Sequence, residues 1–316
     1  MPRFLISRLS ALGDTVCSLP AAVALKKGFP DCHITWVVDP RFAGIVECCE
    51  AVDEVLKFKP KLKLSLSSIP TYPEPFEAAL DLQGLLKSAL GIARAKANRK
   101  VGYHWQREGS WLFSGRILPD PTSFHVVDQY VDVARAVGGQ MDRAEFMLSP
   151  KGDDLDSVRN KLAEHNIRGL FAVINAGAGW ATKRWVPASF SSVIDQLEQD
   201  GVPSVLIGGK AEADQLAASE VISGCLSKPI SLLGQTNVRE LVALISECAV
   251  HLGGDTGSTH VAAALNKPAV GLYSITKPER SCPYGQIDRC HYHPDSLAMI
   301  RPEDVLETMR KALNGN

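Results

Sequence analysis

The sequence lacks the marks of several large protein classes, and each absence narrows the reading. No run of about 18 apolar residues is present, so no segment reads as a membrane-spanning helix. Met1-Pro-Arg-Phe does not have the pattern of a secretory signal, and a cytoplasmic location is expected. The eight cysteines (17, 32, 48, 49, 225, 248, 282 and 290) include no C-x-x-C pair. Several sit in apolar surroundings, as reduced core thiols do, so a disulfide-free protein fits. Cys282, Cys290, His291 and His293 carry metal-capable groups, but their spacing matches no common zinc pattern and adjacent ligands converge poorly on one ion. No metal site is therefore expected. Neither G-x-G-x-x-G nor G-x-x-x-x-G-K-[ST] occurs, which argues against a dinucleotide dehydrogenase and a P-loop enzyme. Internal repeats and low-complexity tracts are also missing.

What remains is an ordinary globular composition, 45% hydrophobic and 22% charged over 316 residues. That length suggests about two domains, each able to hold its own core. The formal net charge of −1 conceals an asymmetry. Lys57 to Arg116 holds 11 lysines and arginines against 4 acids, a local +7, which leaves −8 for the remainder. Such a region favours an anionic surface or partner, although solvated lysines give the same count.

The chain alternates strand and helix from its first residues. Strands are expected at Phe4–Ser7, His33–Val38, Val52–Phe58 and Phe76–Leu82, with an edge strand at Lys100–Tyr103. Helices are expected at Thr15–Lys27, within Gln83–Arg94 and at Val126–Val137. Ala144 to Asp154 reads as a linker, and the rhythm then restarts. Helices Asp154–His165, Pro187–Asp200, Ala211–Ser223 and Val238–Glu247 alternate with strands Leu170–Asn175, Pro203–Ile207 and one near Ile230. A strand from Cys248 to Leu252, broken by Gly253 and Gly254, leads to a helix at Ser258–Leu265. Ala269–Tyr273 closes the sheet, and Pro302–Leu313 forms a terminal helix. The economical architecture is α/β: two Rossmann-like, doubly wound domains, residues 1–150 and 151–316, facing across a cleft.

Ligands bind such sheets at the carboxyl ends of the strands, where several polar groups fall. In His251-Leu-Gly-Gly-Asp-Thr-Gly-Ser-Thr-His-Val-Ala-Ala-Ala-Leu265, a turn of small residues meets a helix start. Its backbone N–H groups and hydroxyls suit a phosphate or diphosphate. Asp255 is repelled by phosphate, so it accepts from a sugar hydroxyl or simply caps the helix. Asn175-Ala-Gly-Ala-Gly-Trp-Ala-Thr-Lys-Arg-Trp185 ends in two cations: either Lys183 steadies a departing diphosphate, or the pair lies on the surface beside packed tryptophans. Asp14 is either a helix-capping aspartate or a general base directed into the cleft.

Four segments in order then carry a resemblance: Ala11-Leu-Gly-Asp14, Asp81-Leu-Gln-Gly-Leu-Leu-Lys-Ser88, Thr182-Lys-Arg-Trp185 and Asp255-Thr-Gly-Ser-Thr-His-Val-Ala-Ala-Ala264. Nearly end to end, the chain resembles the bacterial lipopolysaccharide heptosyltransferases, inverting glycosyltransferases of the GT-B fold. The second segment and Gly102-Tyr-His-Trp-Gln106 are most similar to heptosyltransferase I, which adds the first heptose to the Kdo of lipid A. The resemblance implies ADP-heptose as donor without a metal or cofactor, Asp14 as the base and Lys183 as the cation on the leaving diphosphate. It places Asp255, Thr256 and Gly257 on the nucleotide sugar, with His260 close behind and Glu212 near the ribose. Gly177, Gly179, Thr182 and Thr236 belong to the same implied donor set. An anionic glycolipid acceptor would dock on the basic, aromatic stretch through Arg94, Arg99 and Arg107, with the protein peripheral at the cytoplasmic face of the inner membrane. No nucleic-acid partner is implied. Two departures bear on the donor: Lys-Arg-Trp-Val-Pro is one residue longer than the family's Trp-Pro junction, and Gly177-Ala-Gly179 stands where hydroxyl residues often hold the diphosphate. The rival readings are a nucleotide-sugar epimerase on the same plan and a non-catalytic nucleotide-sugar-binding protein.

Overall fold

Apolar runs such as Phe4-Leu-Ile and Ile34-Thr-Trp-Val-Val are completely or almost completely buried. This is expected of strands in a parallel sheet covered on both faces, where no solvent side imposes alternation. The computed structural model describes residues 1–60, 69–177 and 184–315. The chain divides into two compact units, Met1–Ser149 and Pro150–Asn316.

Among the described residues the first unit contains β1 (Arg3–Ser7), α1 (Leu12–Gly28), β2 (His33–Val38), α2 (Ala43–Glu47) and β3 (Glu54–Lys57). These are followed by β4 (Phe76–Asp81), α3 (Leu86–Ala93), β5 (Ala97–Gly102), β6 (Gly115–Arg116) and α4 (Val126–Arg135). All pairings in the sheet are parallel, in the order β3-β2-β1-β4-β5-β6. Helix α1 is buried from Thr15 to Leu25 and packs on α4. The contact is close at the ends of the two helices, where a Cβ on Gly28 would stand 2.2 Å from the Gly138 carbonyl oxygen. Only glycine fits there.

The second unit contains α5 (Gly152–Glu164), β7 (Ala172–Asn175), α6 (Pro187–Gln199), β8 (Ser204–Leu206), α7 (Glu212–Gly224) and β9 (Ile230–Ser231). Then follow α8 (Val238–Glu247), β10 (Val250–Gly254), α9 (Gly257–Ala264), β11 (Ala269–Tyr273), α10 (Pro278–Ser281), β12 (Cys290–Tyr292) and α11 (Pro302–Leu313). The sheet order is β12-β11-β10-β7-β8-β9, again parallel throughout. One face carries a core in which Phe190, Ile194 and Leu197 of α6 meet Val305 and Met309 of α11 over Leu252 and Val270.

Both sheets repeat one topology. In each, the first strand has the second on one side and the fourth on the other, so the chain reverses direction between β1 and β4 and again between β7 and β10. These two switch points open the crevices where ligands sit in doubly wound sheets.

Three boundaries differ from the sequence expectation. Gly253 and Gly254 continue β10 instead of ending it. A Cβ on Gly253 would lie 2.9 Å from His251 Cε1 and 3.1 Å from Thr259 Oγ1, so glycine serves the close approach of α9 to the strand. The strand at Ala97–Gly102 is not at the edge, because Val101 and Gly102 pair with Gly115 and Arg116 outside it. Ala269–Tyr273 does not close its sheet either, since Cys290–Tyr292 pairs beyond it.

Candidate functional site

At the switch point of the first unit, β1 delivers Arg8 and Ser10, and β4 delivers Asp81 and Gln83. Asp14 lies in the first turn of α1, where a carboxylate is favoured by the helix dipole. Its Oδ2 accepts from Arg8 Nη2 at 2.9 Å and from the Ala11 N–H at 3.3 Å. The Asp14 side chain is 52% exposed against 6% for Arg8, so the pair is a carboxylate held at the surface by a buried cation. Oδ1 has no partner among the described residues and is open to solvent chemistry. Arg8 also donates to the Leu82 carbonyl oxygen and lies 5.2 Å from the centre of the Tyr130 ring. Burial works against its charge, but Tyr130 and the Asp14 carboxylate outweigh burial and hold Arg8 above its ordinary range. Both readings of Asp14 are therefore compatible with its position: it satisfies a helix-start N–H with one oxygen and offers the other.

Asp81 ends β4 fully buried, with Oδ1 accepting from the N–H groups of Gln83 and Gly84 at 3.0 and 3.1 Å. Burial pushes its carboxyl up, against the hydrogen bonds that lower it. Its task is to shape the turn that presents Gln83 and Lys87.

At the switch point of the second unit, Asn175 ends β7 and ties the two connections together. Its Nδ2 donates to Ser258 Oγ at 2.8 Å, and its Oδ1 accepts the Gly177 N–H at 3.0 Å. Thr256 precedes α9 but makes no side-chain cap; its hydroxyl lies 3.2 Å from those of both Ser258 and Thr259. The first N–H groups of a helix have no intrahelical acceptor, so those of Gly257, Ser258 and Thr259 are suited to an anion. Asp255 Oδ1 stands 3.5 Å from His260 Nε2, both side chains largely buried. Beneath them His251 is entirely buried with neither ring nitrogen hydrogen-bonded; burial first, then the neighbouring His260, pushes it down to about 3. It is a neutral histidine near neutral pH. A small pocket beyond the end of β11 is lined by Asp255, Tyr273, Ser274, Ile275 and Thr276.

The predicted donor residues divide. Asp255, Thr256, Gly257 and His260 come together with Gly177 through Asn175. A Cβ on Gly177 would lie 2.9 Å from Asp214 Oδ1, and Asp214 Oδ2 accepts the Gly209 N–H at 3.2 Å, so Asp214 joins two of the glycine turns. Glu212, the first residue of α7, is exposed, and Thr236 lies in the loop before α8. Gly179, Thr182 and Lys183 lie outside the described residues. The three arginines are not brought to one place. Arg94 caps the carboxyl end of α3, which leads back to the amino ends of the strands, and Arg99, early in β5, donates to the Ala136 carbonyl oxygen. Arg107 follows β5, bonds through its N–H to the Gly84 carbonyl oxygen and stacks 5.1 Å from the Trp105 ring. It alone of the three lies beside the Asp81–Gln83 turn. Of the four metal-capable residues, Cys290 contacts Cys282 and the Gln286 carbonyl oxygen, His291 pairs with Thr308, and His293 accepts from Asp295. No three metal-capable side chains converge among the described residues.

Sequence reasoning did not assign roles to Arg8, Asn175, Asp214 or His251. The signal available for the first two was position, since each stands at or just past the end of a strand that opens its unit.

The profile of glycosyltransferase family 9 (heptosyltransferase) matches residues 73–301. The chain is 26% identical to the lipopolysaccharide core heptosyltransferase OpsX of Haemophilus influenzae, over 90% of this chain and 82% of that protein. The structure of a family 9 glycosyltransferase from Veillonella parvula superposes with a TM-score of 0.88 at 19% identity, covering 100% of this chain and 98% of that one. The Escherichia coli heptosyltransferase WaaC with ADP superposes with a TM-score of 0.78 at 22% identity, covering 98% and 99%. The two six-stranded parallel sheets are those of the GT-B fold.

Proposed function

From the premise that this chain belongs to glycosyltransferase family 9, the heptosyltransferases, we propose that it moves heptose from ADP-heptose to the Kdo of lipid A with inversion. The observation that carries this reading is Asp14: a half-exposed carboxylate at a topological switch point, with one oxygen fixed by buried Arg8 and the other open. An acceptor hydroxyl attacks the anomeric carbon and passes its proton to Asp14 Oδ1. The bond between that carbon and the diphosphate oxygen breaks, and ADP departs with the electron pair. Attack from the face opposite the leaving group inverts the centre.

The donor is assigned to the second unit. The uncapped start of α9 supplies N–H groups to the diphosphate, Asp255 and His260 face a sugar hydroxyl, and Gly177 allows close approach of the backbone. Lys183, Thr182 and Gly179 complete the diphosphate site, with Glu212 and Thr236 toward the nucleoside; these roles rest on the family pattern. WaaC with ADP supports a nucleotide of this kind. The acceptor is assigned to the first unit. Trp105, Trp111, Leu112, Leu118 and Phe124 are each more than half exposed there, and the Arg107 guanidinium lies over the Trp105 ring. Exposed aromatics interleaved with cations suit the boundary between an anionic membrane and water. No helix among the described residues is long and apolar enough to cross a bilayer, so the proposed contact is peripheral, at the inner membrane's cytoplasmic face.

The test is ADP release from ADP-heptose with Kdo-bearing lipid A present or absent, beside lipid A already carrying one heptose. Release only with the Kdo terminus is expected. Release only with the heptosylated acceptor moves the chain to a later transfer step, and release without any acceptor points to an epimerase or hydrolase.

A further inference from the structure

Cys282 and Cys290 take no part in the chemistry proposed above, yet the fold of the second unit brings their thiols together. Cys282 follows α10, with its N–H bonded to the Pro278 carbonyl oxygen at 2.7 Å, and Cys290 opens the edge strand β12. The chain between them is held as a tight turn. The Gln286 N–H bonds to the Pro283 carbonyl oxygen at 2.9 Å, and the Arg289 N–H to the Gln286 carbonyl oxygen at 3.0 Å. The buried Gln286 side chain pins this turn to the start of β11: Nε2 donates to the Lys267 carbonyl oxygen and Oε1 accepts the Ala269 N–H, each at 2.9 Å. Gly271 of β11 lies opposite Cys290 in the parallel register. A Cβ on it would stand 3.3 Å from Cys290 Sγ and 3.4 Å from Pro283 Cδ, so glycine lets both ends of the turn settle on the strand. The Cys282 and Cys290 side chains are hydrogen-bonded to each other, and Cys290 Sγ lies 3.7 Å from the Gln286 carbonyl oxygen.

Two thiols in contact share a proton. The thiolate of one is held by the S–H of the other, and loss of the second proton would set two charges side by side. The bond to Cys282 first, and burial second, accordingly push the Cys290 thiol up. Such a pair has a chemistry that an isolated core thiol lacks: once one sulfur has reacted, the other is already within reach. Cys282 is buried, while Cys290 is partly exposed and opens the pair to solvent. The other cysteines differ, since Cys17, Cys32, Cys48, Cys49 and Cys248 are buried and Cys225 donates to the Val221 carbonyl oxygen. We infer that Cys282 and Cys290 form a dithiol modification site that closes to a disulfide by exchange with a small-molecule disulfide of the glutathione class. One thiolate attacks a sulfur of the small disulfide and releases one small thiolate, leaving a mixed disulfide. The second thiol gives up its proton, attacks the protein sulfur of that mixed disulfide and releases the other small thiolate. The S–S bond of the reagent is thereby replaced by one in the protein, two small thiols leave with the two protons, and excess reductant reverses both steps. The new bond ties β12 to the residue after Ser281, whose carbonyl oxygen accepts from Tyr273 Oη in the pocket wall. This inference stands independently of the transferase reading.

The experiment incubates the reduced full chain with oxidised glutathione and reads intact mass and a non-reducing peptide map. Wild type is expected to lose two hydrogens, to join the peptides of Cys282 and Cys290, and to recover both thiols on addition of dithiothreitol. Because the sulfurs already touch, closure should outrun a second capture of glutathione and leave less than about a tenth of the product as mixed disulfide. Cys282→Ser and Cys290→Ser should each lack the loss of two hydrogens. A second measurement needs no variant: phenylarsine oxide, which bridges two neighbouring thiols with release of water, should add one phenylarsenic group across the same two peptides. A mixed disulfide that accumulates without resolving, or a bridge that maps to another pair of cysteines, overturns the site. So does a folded wild type that keeps every thiol under both reagents while the urea-unfolded chain reacts.

Discussion

In the proposed mechanism, Asp14 and Arg8 divide one task between a group that takes the proton and a group that holds it in place. Removing the carboxylate while keeping its shape, as in Asp14→Asn, is expected to lower kcat by about 100- to 10,000-fold, the usual range for a general base. Steady-state kinetics at saturating acceptor reads this. Asp14 was singled out in the sequence by its place in Leu-Gly-Asp after the first strand, where spacing alone left a helix cap and a general base both open. Arg8 was not, because a cation just past a strand reads as a surface residue until Tyr130 and the Leu82 carbonyl close over it. His251 was likewise quoted without a role, since nothing local shows that its ring is sealed. Its folded pKa of about 3 lies below the ordinary 6.5, so between those values the unfolded chain binds the extra proton. Stability therefore falls as pH drops below about 6.5, by up to about 1.4 kcal/mol per pH unit from this group. His251→Leu should flatten that dependence in urea titrations at pH 5 and 7; an unchanged slope contradicts a buried neutral histidine.

At the scale of elements, the proposed site follows from where a parallel sheet reverses. β1 and β4 place Ser10, Asp14 and Gln83 at one crevice, and β7 and β10 place Asn175 and Asp255 at the other. Most helices and buried strands were readable from apolar runs and their turns. What escaped were short edge segments: β6 and β12 have two and three residues and pair on one side only. Strands that brief carry too little periodicity to register. Gly253 misled for a different reason, because a glycine required by helix packing resembles one that breaks a strand. Gly253→Ala must displace the buried His251 ring or Thr259. It is expected to cost about 1–3 kcal/mol and lower Tm by roughly 3–8 °C in a thermal scan. It should also raise the KM for ADP-heptose, because α9 moves with Thr259.

Over the whole molecule, the proposed chemistry is split between units that each have their own sheet and core. Acceptor and donor defects should then separate. Arg107→Ala is expected to raise the acceptor KM several-fold without changing the donor KM, while Arg99→Ala, engaged with the Ala136 carbonyl oxygen, should do neither; steady-state titration of each substrate reads both. The two-domain plan was visible in the restart of strand–helix alternation after Ala144. The separation of the three arginines was not, because a crossover helix carries Arg94 to the far end of the sheet, a consequence of topology rather than of sequence distance. The most direct measurement of the central claim is heptose transfer from ADP-heptose to Kdo-bearing lipid A by wild type and Asp14→Ala, with ADP-heptose affinity measured in parallel by calorimetry. The expected result is acceptor-dependent transfer by wild type, loss of transfer in Asp14→Ala, and donor affinity within about twofold in both. Undiminished transfer by Asp14→Ala would contradict the assignment of the base and, with it, the mechanism built on the first switch point.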